Sequence, residues 1–228
     1  MRIGILQAGH SPDELRDSVG DYGEMFTRLL DGHGFEFEIY SVVDNQFPSG
    51  VSDADGWLIT GSKHGAYEEH GWIPLLEDLI RDIKATGQPL VGVCFGHQII
   101  AQALGGKVEK FAGGWSVGRT EYDFGDGETM KLNAWHQDQV TQLPEGAEVI
   151  ASTDFCANAA LVYGDQILTI QPHPEFTSEL VSGLIEHRGR GNVPEALLNN
   201  AQAQLNDTTD NARFAARMAE VLKRGAKS

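Results

Sequence analysis

The chain has 228 residues, and 17 Lys and Arg against 33 Asp and Glu give it a formal charge of −16. With no basic run beyond Lys223-Arg224 it lacks the clustered cations that a nucleic-acid partner or an anionic membrane surface requires. A hydrophobic share of 41% suffices for a packed core, no apolar run reaches the roughly 18 residues of a transmembrane helix, and two cysteines, Cys94 and Cys156, make no disulfide scaffold, so the expected compartment is a reducing cytoplasm.

The N-terminal run Arg2-Ile3-Gly4-Ile5-Leu6-Gln7 is too short for a signal peptide and reads as a first strand. Residues 25–30 have a helical pattern that Gly32 and Gly34 can close. Residues 35–40 alternate with period two, as a strand exposed on one face does, and residues 56–60 form a third strand. Ile73, Leu76, Leu79, Ile80 and Ile83 share one face of a helix. Residues 89–93 are a short, fully apolar strand, followed by a helix over 95–104 that ends at Gly105-Gly106. This alternation of strand and helix predicts an α/β fold with a mostly parallel sheet and helices on both faces.

The pattern changes between residues 107 and 162, where short strands alternate with Gly-rich turns. Residues 119–124 and 131–135 are expected to form antiparallel pieces, and 167–170 are another apolar strand. From 194 to 223 the chain reads as helix, broken near 206–210, where Asn and Asp side chains offer N-caps for the last helix. With no repeat and no low-complexity linker, residues 1–228 are read as one domain, of which about 190–228 is a helical extension.

Two motifs carry chemistry. Gly92-Val93-Cys94-Phe95-Gly96 joins an apolar strand to a helix. A nucleophile on so sharp a turn needs small neighbours, because the backbone passes close to itself there. The turn sets Cys94 at a helix N-terminus, where the dipole favours thiolate, and turns the Phe95 N–H into an oxyanion donor. The competing reading of the pentapeptide alone is a buried core cysteine. The second motif is Gln171-Pro172-His173-Pro174-Glu175, at the end of the strand over 167–170. The prolines enforce extended backbone, so His173 and Glu175 point the same way and the carboxylate can orient the imidazole.

Together, Gly92-Val93-Cys94-Phe95-Gly96-His97-Gln98 and Pro172-His173-Pro174-Glu175 resemble the class I glutamine amidotransferases, over most of the chain up to about residue 188. The resemblance implies a flavodoxin-like domain with a small antiparallel insertion. It implies that Cys94 attacks the γ-carboxamide of glutamine, that His173 moves the proton and that Glu175 holds His173. Gly61 falls where the family has its second oxyanion loop, and Gln98 with Trp135, His136, Gln137 and Asp138 falls where it grips the amino acid end of the substrate. The loop Gly61-Ser62-Lys63-His64-Gly65-Ala66-Tyr67 departs from the family's pattern of two glycines around a proline.

Other features carry less. His64 and His70 flank a Gly-rich loop and are expected to be solvated, Trp115 to pack under the insertion, and Cys156 to be structural. Cys94 with His97, His136 with Asp138 and His173 with Glu175 do not make a metal set at zinc-site spacing, so no metal is expected, and no phosphate-binding or dinucleotide glycine motif calls for a cofactor. Three readings follow. The first is a glutamine-cleaving hydrolase that releases ammonia, with a synthetase partner to use it. The second is a stand-alone hydrolase of γ-glutamyl peptides or amines with the same triad, similar to plant gamma-glutamyl peptidases. The third is a non-catalytic binding module, which is disfavoured because Cys94, His173 and Glu175 are all present. In the first two the partner is a small molecule.

Overall fold

Strands that are apolar on both faces have to lie between two layers. In the computed structural model, which describes residues 1–226, four such runs and one half-exposed edge strand form the parallel part of a seven-stranded sheet. They are β1 (Arg2–Leu6), β2 (Glu36–Tyr40), β3 (Gly56–Ile59), β4 (Leu90–Val93) and β11 (Ile167–Ile170). The order β2-β1-β3-β4-β11 is that of the flavodoxin-like fold. The edge strand β2 alone keeps an exposed face, with Ile39 42% accessible.

Period-two alternation assigns each strand residue to a layer. Ile3, Ile5, Leu58, Val91, Val93, Leu168 and Ile170 face α2 (Tyr22–Leu29) and α7 (Asn211–Leu222). Leu6, Trp57, Ile59, Leu90 and Ile167 face α3 (Trp72–Thr86) and α4 (Phe95–Ala103). Gly4 belongs to the second layer, where a Cβ would lie 2.3 Å from the Trp57 ring, so the glycine makes room for the largest fully buried side chain. The C-terminal segment is part of this architecture, since Phe214, Ala215, Met218 and Leu222 of α7 are buried against the sheet.

The region 107–162 is divided between two destinations. β5 (Lys107–Lys110) pairs with β8 (Asp138–Gln142), and β6 (Ser116–Asp123) with β7 (Thr129–His136), as two small antiparallel sheets. The antiparallel pieces expected at 119–124 and 131–135 thus pair with each other, with Arg119 opposite Asn133 and left-handed residues at Gly125, Asp126 and Gly127 in the turn. By contrast, β9 (Ala147–Ala151) and β10 (Ala160–Tyr163) join the main sheet antiparallel beside β11, so the sheet is mixed.

Two helix ends differ from expectation. Asp21 and Glu24 form a capping box that starts α2 a turn earlier than the apolar pattern suggests. Gly32 and Gly34, both at positive φ, lie in the turn beyond the helix end. Asp210 precedes α7 but makes no side-chain cap; its carboxylate accepts instead from Lys131 N (2.8 Å), tying α7 to β7. The remaining helices are α1 (Asp13–Val19), α5 (Ser178–Leu184) and α6 (Glu195–Ala203), and α5 runs on into a π-helical turn, Ile185–Gly189. Among the described residues no helix is long and apolar enough to cross a membrane.

Candidate active site

The neighbouring strands β3, β4 and β11 end at the same edge of the sheet, and each is followed by one residue of the site: Gly61, Cys94 and His173. The Cys94 N–H continues the ladder to Ile170 O (2.8 Å), and then the chain turns sharply, with Cys94 at φ 52° and ψ −103°. An L-residue at such φ is strained, and strain of this kind gathers where a side chain must be presented in a fixed way. The flanking glycines permit the turn. A Cβ on Gly92 would lie 2.6 Å from Gly96 O, and one on Gly96 would lie 2.3 Å from Ile59 O.

His173 is held from four sides. Its N–H donates to Asn133 O of β7 (2.8 Å), its ring stacks on Phe176 with centroids 3.8 Å apart, and Nδ1–H donates to Glu175 Oε1 at 2.7 Å. The Cys94 thiol is the fourth neighbour. The Glu175 side chain is fully buried, and its Oε2 has no hydrogen-bond partner among the described residues, so the imidazole is its principal compensation. Burial pushes the His173 pKa down, but the Glu175 carboxylate and the Cys94 sulfur outweigh it and raise the value to about 10. A thiol and a carboxylate thus flank one imidazole, an arrangement that can serve covalent catalysis.

Gly61 lies against this group. A Cβ there would be 3.0 Å from His173 Cε1 and 3.8 Å from Cys94 Cβ. The Gly96 N–H is taken by Thr60 O (3.2 Å), whereas the Gly61 and Phe95 N–H groups have no acceptor among the described residues. Backbone donors of this kind can take up developing charge on an oxygen.

A cleft of about 430 Å³ opens over Cys94 and His173, and Gln98, Trp135, His136, Gln137 and Asp138 all line it. Gln98 donates its Nε2 to Asp138 O (2.9 Å) and Gln171 Oε1 (3.0 Å), which fixes α4 to the start of β8. His136 is buried and donates from Nδ1 to Asp138 O (3.2 Å), and burial lowers its pKa to about 4. The Asp138 carboxylate accepts from Tyr67 OH (3.2 Å), and burial raises its pKa. His97 turns away from the cleft to share a hydrogen bond with Thr169 Oγ1 (2.8 Å); burial, then the nearby His136, lower its pKa to about 3.

Several lining residues carry no sequence signal of their own. His10 follows β1 and is held between Asp21 (2.6 Å) and Asp44 (3.0 Å), contacts that only the fold creates. Tyr22, Tyr67 and Arg188 also face the cleft, Arg188 from the π-helical turn. Trp115, expected to pack under the insertion, is partly buried against an apolar cluster that joins Val117 of the insertion to α5, and it lines the cleft as well. His64 and His70 are not independently solvated. Their rings lie 4.3 Å apart, and both donate to Glu68 Oε2.

The profile of the family described as "Glutamine amidotransferase class-I" matches residues 15–185. The chain is 28% identical to gamma-glutamyl peptidase 3 of Arabidopsis thaliana, over 81% of each chain. It is 32% identical to a glutamine amidotransferase-like protein of Schizosaccharomyces pombe, over 81% of this chain and 83% of the other. Among solved structures, a glutamine amidotransferase from Methylobacillus flagellatus superimposes with a TM-score of 0.77 at 24% identity, covering 99% of this chain and 92% of that one, which speaks for the fold alone.

Proposed function

The chain belongs to the class-I glutamine amidotransferase family, and on that premise we propose that it is a stand-alone γ-glutamyl hydrolase of the peptidase type. The observation that carries this reading is the match to the plant gamma-glutamyl peptidase, which spans 81% of both chains. Cys94 attacks the γ-carbonyl of the glutamyl group, and His173 takes the thiol proton and delivers it to the departing amine. The Gly61 and Phe95 N–H groups receive the oxyanion. The resulting γ-glutamyl thioester is hydrolysed by water that His173 deprotonates, while Glu175 keeps the imidazole in place and offsets its positive charge. Gln98, Trp135, His136, Gln137 and Asp138 hold the amino acid end of the substrate. No cofactor or metal takes part in these steps, and two unpaired thiols suit a reducing cytoplasm.

A second reading, glutamine cleavage with release of ammonia to a synthetase partner, draws support from the amidotransferase-like relative in fission yeast. A substrate panel on the purified chain separates the two. We expect release of amine from a γ-glutamyl dipeptide without any second protein, and rejection of N-blocked glutamine by about 10⁴-fold, because a site built on paired polar groups leaves one of them unpaired when its partner is missing. Turnover of glutamine alone, or turnover that begins only when a synthetase is added, would favour the second reading. Equal cleavage of blocked and unblocked glutamine would refute recognition of the amino acid end.

A further inference from the structure

The loop after β3 contains a cluster that the catalytic scheme does not use. His64, Glu68 and His70 each offer one donor atom, and the three atoms lie within 4.8 Å of one another. Glu68 Oε2 is 3.1 Å from His64 Nδ1 and 2.8 Å from His70 Nε2. Two imidazoles and a carboxylate around zinc, with bonds of about 2.0–2.2 Å, have donors roughly 3.3 Å apart. The pairs with Glu68 are therefore within a few tenths of an ångström of that spacing, and closing the third pair needs a small rotation of side chains that are partly exposed. Sequence spacing hid the set, because the residues stand at i, i+4 and i+6 on an irregular loop, and only its folding converges them.

The cluster rests on a rigid base. The Trp72 ring lies nearly parallel to His70 (13°, centroids 6.1 Å apart) and packs in turn on Phe95 (5.5 Å), the residue after Cys94. Trp72 is only 5% exposed. His64 and Glu68 line the catalytic cleft, and Tyr67, between them, reaches across to Asp138.

We propose that His64, Glu68 and His70 form a binding site for a divalent transition metal of the zinc class at the rim of the cleft. The donor set selects the metal: imidazole suits zinc, nickel, cobalt and copper, whereas magnesium and calcium require oxygen ligands. In the metal-free protein both imidazoles donate to Glu68. On binding, each ring presents a nitrogen lone pair to the metal in place of its hydrogen bond to Glu68. The metal then pins the segment that starts at Gly61 and carries Tyr67, and through Trp72 it bears on the base of the nucleophile turn. Its role is to fix that loop, and the hydrolytic steps do not pass through it.

The test uses the full chain with Cys94→Ala, which removes the thiol that would compete for metal, after dialysis against a chelator. Calorimetric titration with Zn²⁺ should show one ion per chain, and Mg²⁺ should give no binding heat. His64→Ala and His70→Ala should each weaken Zn²⁺ binding on the order of 100-fold. Co²⁺ should give the absorption of a low-coordinate nitrogen-ligated ion, lost in the same variants. His70→Gln, which keeps a hydrogen bond to Glu68, and the circular dichroism of every variant separate loss of a ligand from loss of the fold. Binding that is unchanged in folded His64→Ala and His70→Ala, or absent from the parent, overturns the proposal.

Discussion

The two thiols of this chain are both buried, at 6% and 2% exposure, and they differ in everything that decides reactivity. Cys94 stands on a strained turn at a helix start, beside an imidazole whose pKa is raised. Cys156 sits in a side-chain-tied turn, where its N–H donates to Thr153 Oγ1 (2.9 Å), and burial raises its pKa to about 12. The contrast teaches that accessible area alone does not separate two thiols: the proposed nucleophile is set apart by the imidazole and the helix start beside it, which the other cysteine lacks. A histidine accompanies each region with the opposite shift, His173 upward beside Cys94 and His97 downward near Asn158 of the Cys156 turn.

The strongest way to break the comparison is to exchange the thiols. Cys94→Ala should lose about 10⁴-fold or more in kcat, whereas Cys156→Ser should keep its turnover within a few-fold. Loss of activity in a folded Cys156→Ser protein would erase the distinction. Within the Cys94 region, His173→Ala should be as damaging as Cys94→Ala, and Glu175→Gln roughly one to two orders of magnitude less so, because the carboxylate acts only through the imidazole. Steady-state rates of the three variants check the order, and a fully active Glu175→Gln would reduce the carboxylate to a structural role.

The glycines around Cys94 sharpen the contrast through stability. In Gly96→Ala the new methyl would meet backbone, the Ile59 carbonyl, which cannot swing aside, so denaturant unfolding should show a loss of about 3 kcal/mol. Gly71→Ala, with nothing near the added methyl, should be close to neutral.

The buried histidines add a pH dependence of both signs. His97 and His136 have folded values of about 3 and 4, well below the unfolded 6.5. The unfolded state therefore binds more protons as the pH falls below 6.5, and each histidine costs about 1.4 kcal/mol per pH unit from there down towards its folded value. His173, raised to about 10, behaves in reverse: its contribution is complete below 6.5 and disappears as the pH rises through about 10. Urea midpoints between pH 4 and 10 should show both limbs, and His97→Gln should flatten only the acid one.

The part of this architecture that rests on buried strands was legible in the sequence. Residues 56–60, 89–93 and 167–170 are predominantly apolar because helices cover both their faces, and that composition has few other uses. The strand-to-helix turn at Cys94 and the His173–Glu175 pair were legible because each is local: two glycines, or two residues set apart by a proline. What escaped depends on distant pairing. Helix α1 buries only Leu15 and Val19, too little to mark a stripe. Strands β9 and β10 look like the small sheets before them, and only their pairing beside β11 places them in the main sheet. Asp210 reads as a cap but bonds to Lys131, 79 positions away. His10, Tyr67 and Arg188 reach the cleft from three separate segments, so no window of sequence contains their relation to Cys94.

The central claim is that Cys94 forms the covalent intermediate. The most direct measurement is peptide-level mass spectrometry of the chain quenched in acid during turnover of a γ-glutamyl substrate. The account predicts a γ-glutamyl adduct on the peptide containing Cys94, absent from Cys94→Ala and accumulating when His173 is replaced after acylation is forced with an activated substrate. An adduct on Cys156, or turnover of the substrate by Cys94→Ala with no adduct anywhere, would contradict it.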